Sequence, residues 1–285
     1  MPAILLGLIG DNIGRSRSPL LHRLAGRLCG LDVVYKPLIP ADMRLDFDAV
    51  FEECHAGGYR GINITYPYKE KVVAKLRVDD PRVAAIGACN TVLFGEGKPL
   101  GFNTDYSGFI AAYRGAFPDS APGIVAMAGA GGVGRAIGFA LGELGAEVLK
   151  LFDRDRAKAE ALAEALGRAV PNMRVVIAQS IDEAASGMDG VINCTPLGMA
   201  GYPGTAIPKS AMKGRRWAFD AVYTPVETEF LRDARASGLE TLSGYELFFH
   251  QGVDAFRHFT GCSVDVDALR AALMSEQGGD EARRT

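Results

Sequence analysis

Short apolar runs and longer amphipathic stretches alternate along this chain, the pattern of strands separated by helices. Residues 4–9 (Ile-Leu-Leu-Gly-Leu-Ile), 33–38 and 61–64 read as buried strands, and residues 19–29, 47–56 and 67–76 as helices that follow them. Ser18 is the expected N-cap of the first helix and Pro19 its first helical position, where a missing amide hydrogen costs nothing. This rhythm predicts βαβ units and a mostly parallel sheet. Residues 90–94 and 99–103 read as a hairpin around a turn at 95–98, and residues 107–116 as a helix. After a break at 118–123, a second α/β run begins. It has strands at 124–128, 147–152, 175–178, 191–193 and 217–221, and helices at 134–144 and 156–169. Helices at 245–259 and 266–274 close the pattern, and the polar stretch 275–285 is expected to fray.

One turn carries chemistry. Gly129-Ala130-Gly131-Gly132-Val133-Gly134 follows the 124–128 strand and opens a helix, the context that a G-x-G-x-x-G fingerprint requires. The first glycine allows a tight turn, the second a close backbone approach to a pyrophosphate, and the third close packing of helix on strand. The helix start adds unpaired N–H groups and the positive end of its dipole. A plain glycine-rich corner would look similar, so an acid at the end of the next strand matters. Asp153 stands there, near the expected offset of about 20 residues. Its carboxylate can accept both hydroxyls of an adenosine ribose, and would repel a 2′-phosphate. At an effective dielectric of about 20, like charges about 4 Å apart cost about 4 kcal/mol. NAD is therefore favoured over NADP, with Arg154 and Arg156 as the side chains able to rescue a phosphate. The alternative for Asp153 is a solvated strand-end acid.

Composition narrows the classes. The chain has 285 residues, 48% hydrophobic and 23% charged, and a formal net charge of -3. That suits a globular protein with a sizeable core and gives no clustered basic footprint for nucleic acid. Five cysteines at wide spacings contain no C-x-x-C pair, so no metal site and reduced, cytoplasmic thiols are expected. No apolar run is long enough for a membrane span. The apolar residues 1–10 lack a basic leader and a cleavage site, and read as a first strand rather than a signal peptide.

Polar residues gather where strands end and helices begin: Ser16-Arg17-Ser18-Pro19, the stretch from Asn63 to Glu70, and Asn103-Thr104-Asp105. In open parallel sheets ligands collect at the carboxyl ends of strands. Ser16 and Ser18 at a helix start make a carboxylate receptor, although Ser18 serves equally as a cap. Lys69 near the head of the 67–76 helix opposes the helix dipole. It is either an ordinary surface lysine or one retained for function. Asp105 is either a cap of the 107–116 helix or a site residue.

These segments, with others, resemble the shikimate dehydrogenase family in order and spacing along nearly the whole chain. S-x-S-P appears as Ser16 to Pro19, and N-x-T-x-P-x-K-E as Asn63, Thr65, Pro67, Lys69 and Glu70. G-A-x-N-T covers Gly87 to Thr91, and G-x-N-T-D covers Gly101 to Asp105. G-A-G-G is Gly129 to Gly132, and N-x-T-P-x-G-M runs from Asn193 to Met199. D-x-V-Y-x-P runs from Asp220 to Pro225, and Gly244 to Gln251 forms the closing motif.

The resemblance implies a soluble α/β enzyme of two domains. An N-terminal α/β substrate domain with a mostly parallel sheet would cover residues 1–107, completed by C-terminal helices at 243–285. A Rossmann-like NAD(P)-binding domain would cover 108–242. Lys69 and Asp105 would be the catalytic pair. Ser16 and Ser18 would hold a substrate carboxylate, with Tyr223 nearby, and Thr65, Asn90, Asp105 and Gln251 would bond ring hydroxyls. Gly129, Ala130, Gly131, Gly132 and Val133 would cradle the dinucleotide, with Asp153, Arg154 and Thr195 beside it. Gly244 and Leu247 would lie by the nicotinamide.

The triplet Asp153-Arg154-Asp155 resembles the NAD-using quinate/shikimate branch, where NADP-using biosynthetic members often carry Asn-Arg-Thr. Ser18 stands where quinate-preferring members often have Thr, so shikimate is the expected better substrate and quinate the second candidate. Tyr66 is larger than many family residues at its position. The expected activity is reversible oxidation of shikimate to 3-dehydroshikimate, by a monomer or homodimer acting on a small molecule. The alternatives are an NADP-dependent biosynthetic enzyme, an aminoshikimate dehydrogenase, and a non-catalytic ligand sensor.

Overall fold

The computed structural model describes residues 2–282. In chain order the elements are β1 (Ile4–Ile9), α1 (Ser18–Leu28), β2 (Val33–Leu38), α2 (Pro40–Met43), α3 (Phe47–Ala56) and β3 (Gly61–Ile64). Then come α4 (Pro81–Ile86), β4 (Thr91–Leu93), β5 (Leu100–Phe102), α5 (Thr104–Ala116), β6 (Ile124–Ala128), α6 (Gly132–Glu143), β7 (Val148–Phe152) and α7 (Arg156–Ala169). The remainder is β8 (Arg174–Ile177), α8 (Ile181–Ala184), β9 (Gly190–Asn193), β10 (Trp217–Asp220), α9 (Glu229–Ala236), β11 (Glu240–Ser243), α10 (Gly244–Thr260) and α11 (Val266–Ala282). The chain divides into two compact units, Met1–Asp79 with Cys89–Thr104 and Gly252–Thr285, and Asp80–Ala88 with Asp105–Gln251.

The first unit is built on a sheet of order β2-β1-β3-β4-β5. β2, β1 and β3 run parallel, and β4 and β5 form an antiparallel hairpin on the β3 side. All four residues of β3 are buried, as expected of a strand covered on both faces. The end of α10 closes this core. A β-carbon at Gly61 would fall 2.4 Å from the Phe259 ring, and one at Gly252 would fall 2.7 Å from Leu21. His22 lies in the same core, stacked on Tyr35 at 4.7 Å, and burial holds its imidazole down at about 3, hence neutral.

The second unit is a six-stranded, all-parallel sheet of order β11-β10-β9-β6-β7-β8. The chain winds outward from β6 to β8, then returns to β9 and winds the other way, the doubly wound order of dinucleotide-binding folds. α4 packs on α6 and α7, and the Arg135 guanidinium donates to the Ile86 carbonyl. That contact ties Asp80–Ala88 to this unit, while the first unit resumes at Cys89 and again at Gly252.

The expected α/β class holds, and several elements differ from the sequence reading. α1 begins one residue early, so Arg17 flanks it, and Ser18 is its first residue rather than its N-cap. The Ser18 amide donates instead to Ser16 Oγ at 3.3 Å. The helix expected at 67–76 is reduced to a 3₁₀ turn at Lys71–Lys75. The Lys69 carbonyl accepts the Cys89 amide at 2.8 Å, and the Val73 amide donates to the Glu70 carbonyl at 3.4 Å rather than to Lys69 as an α-helix would have it. The dipole argument for Lys69 therefore has no helix to rest on. α5 starts at Thr104, so Asp105 lies in its first turn, where its charge suits the dipole, rather than capping it. α11 continues to Ala282 where fraying was expected from 275, and residues 283–285 of that expectation lie outside the described residues.

If the α10 end is integral to the first core, Phe259→Ala should destabilise the protein by about 3–5 kcal/mol, the usual cost of emptying a buried aromatic site. Phe259 is fully buried, and urea unfolding followed by circular dichroism measures the loss.

Candidate active site

In the first unit, backbone pairing brings the polar segments to the carboxyl ends of β1 and β3. The Thr65 amide donates to the Ile9 carbonyl at 2.9 Å, and the Asp11 amide to the Tyr66 carbonyl at 3.2 Å. Tyr68 adds a 2.6 Å hydroxyl bond to Asp11. The loop after β1, which leads to Ser16 and Ser18, is thus tied to the loop after β3, which carries Thr65 and Lys69. Ser16 Oγ donates to Ser18 Oγ at 3.1 Å, so the two hydroxyls lie side by side at the head of α1.

Asn90 joins the third segment to these. Its carbonyl accepts the Ile64 amide at 2.8 Å and Asn63 Nδ2 at 3.1 Å. Its side-chain Oδ1 accepts the Thr104 amide at 2.7 Å and Thr91 Oγ1 at 3.0 Å. This fixes the amide orientation, with Oδ1 the acceptor and Nδ2 the donor. Asn63, whose Oδ1 accepts from the Tyr35 hydroxyl at 2.9 Å, is a buried brace that carried no role in the sequence reading. Its signal was a polar residue inside an otherwise apolar strand. Lys69 is half-buried, and Tyr66 is 60% exposed.

In the second unit the three fingerprint glycines differ in what they can tolerate. Gly129 has φ 102°, and a β-carbon there would fall 2.7 Å from the Cys194 backbone. At Gly134 a β-carbon would fall 2.2 Å from the Gly129 carbonyl oxygen. At Gly131 nothing lies within 4 Å. Two glycines serve close packing, and the middle one faces open space, as a pyrophosphate cradle at the start of α6 requires. Asp153 is held beside it: one carboxylate oxygen accepts the Ala130 amide at 2.7 Å, the other the Asp155 amide at 2.8 Å. Arg156, a candidate phosphate rescuer, is engaged with Glu160 at 2.8 Å and Gln179 at 3.1 Å. Ala130 is buried, Gly132 and Val133 are half-buried, and Arg154 is exposed.

A buried clasp joins the loops after β9 and β10. Asp220 accepts from Asn193 Nδ2 at 2.9 Å, the Val222 amide at 3.0 Å and Thr228 Oγ1 at 2.6 Å. Asn193 Oδ1 in turn accepts the amide and hydroxyl of Thr195 at 2.9 and 2.7 Å. The hydroxyl of Thr195 is therefore committed to shaping its own loop. Gly244 closes on the same place, where a β-carbon would fall 2.6–2.7 Å from three carbonyls, those of Asp220, Ala221 and Val222. Leu247 is buried in the unit's core, and Tyr223 stacks on Phe248 at 4.9 Å. Gln251 Nε2 donates to the Phe248 carbonyl at 2.9 Å. Its backbone lies 2.7 Å from where a Gly108 β-carbon would stand, one turn along the helix from the buried Asp105. The clasp was legible only as two polar residues, Asn193 and Asp220, each ending an apolar run. Among the described residues no group of three or more acidic, histidine or cysteine side chains could hold a metal ion, and no helix is long and apolar enough to cross a membrane.

Two family models match the chain, the shikimate dehydrogenase substrate binding domain over residues 8–92 and the shikimate 5'-dehydrogenase C-terminal domain over residues 244–274. A quinate/shikimate dehydrogenase (NAD(+)) of Corynebacterium efficiens is 40% identical over 279 residues, covering 96% of this chain and 98% of its own. The chain belongs to the shikimate dehydrogenase family. A shikimate dehydrogenase (NADP(+)) of Streptomyces avermitilis is also 40% identical, over 96% of each chain. The solved quinate dehydrogenase from Corynebacterium glutamicum in complex with NAD matches with a TM-score of 0.86 and 38% identity, over 96% of this chain and 99% of that one. Membership makes the chain an oxidoreductase acting on CH–OH groups with a nicotinamide dinucleotide, and the sensor reading falls.

The glycine contrast gives one test. Gly131→Ala should leave thermal unfolding of the ligand-free protein unchanged while weakening dinucleotide binding by tenfold or more, on the order of 1.4 kcal/mol. Gly134→Ala should lower the melting temperature. Equal loss of stability in both would contradict the assignment of Gly131 to the cradle.

Asp220 gives a second test. Burial pushes its carboxyl up to about 6, against the pull of its three hydrogen bonds. The folded state thus binds the proton more tightly than the unfolded chain, whose value is about 3.9. Stability is greatest below the unfolded value and falls as pH rises through this window. Above about pH 6 the ionised form costs on the order of 3 kcal/mol. The unfolding free energy of Asp220→Asn, minus that of the parent, should therefore rise between about pH 4 and about pH 6.5. Urea titrations at several pH values read it directly.

Proposed function

We propose that this enzyme is an NAD-dependent shikimate dehydrogenase that also accepts quinate, oxidising one ring hydroxyl to a ketone reversibly. The observation that carries the reading is the convergence, within the first unit, of the Ser16/Ser18, Thr65/Lys69 and Asn90/Thr104 segments at the carboxyl ends of its strands. We assign substrate binding to the first unit and dinucleotide binding to the second.

Ser16 and Ser18, with the N–H groups at the head of α1, receive the substrate carboxylate. Thr65 and Asn90 bond ring hydroxyls. When bound, the dinucleotide supplies a hydride acceptor. As the alcohol carbon gives up hydride, its hydroxyl proton needs an acceptor, and Lys69 Nζ is that general base. Asp105 orients the hydroxyl and relays the proton. In the reverse direction Lys69 returns the proton to the carbonyl oxygen, which it polarises.

NAD rather than NADP is favoured by Asp153, whose carboxylate is fixed by two backbone amides at the tip of β7. A 2′-phosphate there meets a charge that cannot swing away. Gly129, Gly131 and Gly132 take the pyrophosphate, and Gly244 lies towards the nicotinamide.

Steady-state rates with shikimate and quinate, each with NAD and NADP, test the whole reading, and shikimate with NAD should give the highest kcat/KM. Lys69→Ala should lower kcat by about 10²–10⁴, the usual worth of a positioned acid–base group. A variant at the parental rate would remove Lys69 from the chemistry. Asp153→Ala should shrink the NAD preference by about tenfold or more, since even 1.4 kcal/mol of repulsion is worth that factor.

A further inference from the structure

The Asp220 carboxylate is fully buried, and its placement is costly. Its three donors, Asn193 Nδ2 at the end of β9 and Val222 N–H and Thr228 Oγ1 beyond β10, are all neutral. Among the described residues no ion pair forms with it, and its hydrogen-bond partners are these three neutral groups. An asparagine amide oxygen could accept from Asn193 and Val222, and the Thr228 hydroxyl could turn to accept from the amide. A neutral residue would fit with less desolvation. A charge retained against that cost is a candidate for function.

The topology says which part of a ligand it would face. In the order β11-β10-β9-β6-β7-β8 the chain reverses direction at β6, and a dinucleotide lies across the carboxyl ends of the strands at that point. The glycine loop follows β6 and Asp153 follows β7. With pyrophosphate on the first and adenosine ribose on the second, the nicotinamide half extends the opposite way, over β9 and β10. Asn193 and Asp220 are the last residues of those two strands. The oxidised nicotinamide ring is a cation and the reduced ring is neutral.

We propose that the buried carboxylate of Asp220 is the fixed counter-charge of the nicotinamide subsite, and that it sets the affinity of the site for the oxidised dinucleotide relative to the reduced one. This rests on the dinucleotide reading above. A charge with no ion-pair partner, in surroundings of low dielectric, acts over a longer range than a surface charge. The phosphates, the adenosine and Asp153 are common to both ligands and cancel in the ratio. Protonation of Asp220 removes the charge, so the preference for the oxidised form falls as pH drops through about 6.

Calorimetric titration of the ligand-free full chain with NAD+ and with NADH tests this. At about pH 8 the ratio of affinities, oxidised over reduced, should be about tenfold lower in Asp220→Asn than in the parent, equivalent to about 1.4 kcal/mol. The parent ratio should fall towards the variant's at about pH 5.5, and the variant's should stay flat. Thr228→Val keeps the charge but removes a bond that favours it, so the pH at which the ratio falls should move upward. Circular dichroism of each ligand-free variant checks that it is folded. If Asp220→Asn weakens both ligands equally, or if the pH midpoint is unmoved in Thr228→Val, the residue is only a clasp and the proposal is overturned. If the parent binds neither dinucleotide, the cofactor reading itself fails and takes the proposal with it.

Discussion

The 2.8 Å bond from the Cys89 amide to the Lys69 carbonyl governs what the first unit can do. The chain after β3 runs open, its Lys69 carbonyl turned to a distant segment while the Val73 amide bonds Glu70. Lys69 is thereby carried on a loop whose two ends are both anchored. Thr65 is bonded to the end of β1, and Val72 is buried in the core. The same bond delivers Asn90, the next residue, to the loop of Lys69. Asn90 then receives Thr104, and with it the start of α5. One backbone hydrogen bond thus couples three segments far apart in sequence, and long-range pairing of this kind is what rigid catalytic geometry requires.

In the second unit the constraint is the close approach of one stretch of backbone to another. At Gly129 and Gly134 there is no space for a side chain, since each would meet main-chain atoms within 3 Å. These two contacts hold the loop tightly, while open space lies beside Gly131. At the head of α6 the loop offers N–H groups and a dipole rather than lysines, in a chain whose overall charge is slightly negative. Capture by local geometry of this type needs a rigid loop, and the Asp153 carboxylate stiffens it through the Ala130 amide.

Most strands and long helices were legible because each is specified locally. Residues 4–9, 33–38, 47–56, 61–64, 124–128 and 156–169 have the bounds their apolar periodicity dictates. The failures have physical causes. In place of the 67–76 helix stands a 3₁₀ turn whose neighbour Lys69 bonds Cys89, a long-range pairing that no local pattern encodes. α4 was missed although Asp80 caps it, Pro81 opens it and Gly87 ends it at φ 67°, because with six residues it is too short to show a period. β11 was missed because Glu240 and Thr241 interrupt any apolar run at what proves to be a sheet edge. At the site, residue types were readable and their orientation was not. Serines, lysine and aspartates stood out by their positions at strand ends, whereas the braces Asn63 and Asn193 became visible only through their partners. A buried amide has no signature in sequence beyond being a polar residue in an apolar setting.

Asp153 and Asp220 show how far environment outweighs residue type. Both end or follow parallel strands of one sheet, at the edge where the ligand is expected. Asp153 is partly solvated and spends its oxygens on two amides at the protein surface, so its charge is cheap and local, suited to hydroxyl groups and hostile to a nearby phosphate. Asp220 is fully buried, and burial pushes its carboxyl up to about 6. Its charge is costly, and its field is poorly screened. A carboxylate can bond a hydroxyl only if it can touch it, and its field acts at a distance only if water is kept away. Asp220 is fully buried, tied to the end of β9 by the 2.9 Å bond from Asn193 and to the head of α9 by the 2.6 Å bond from Thr228.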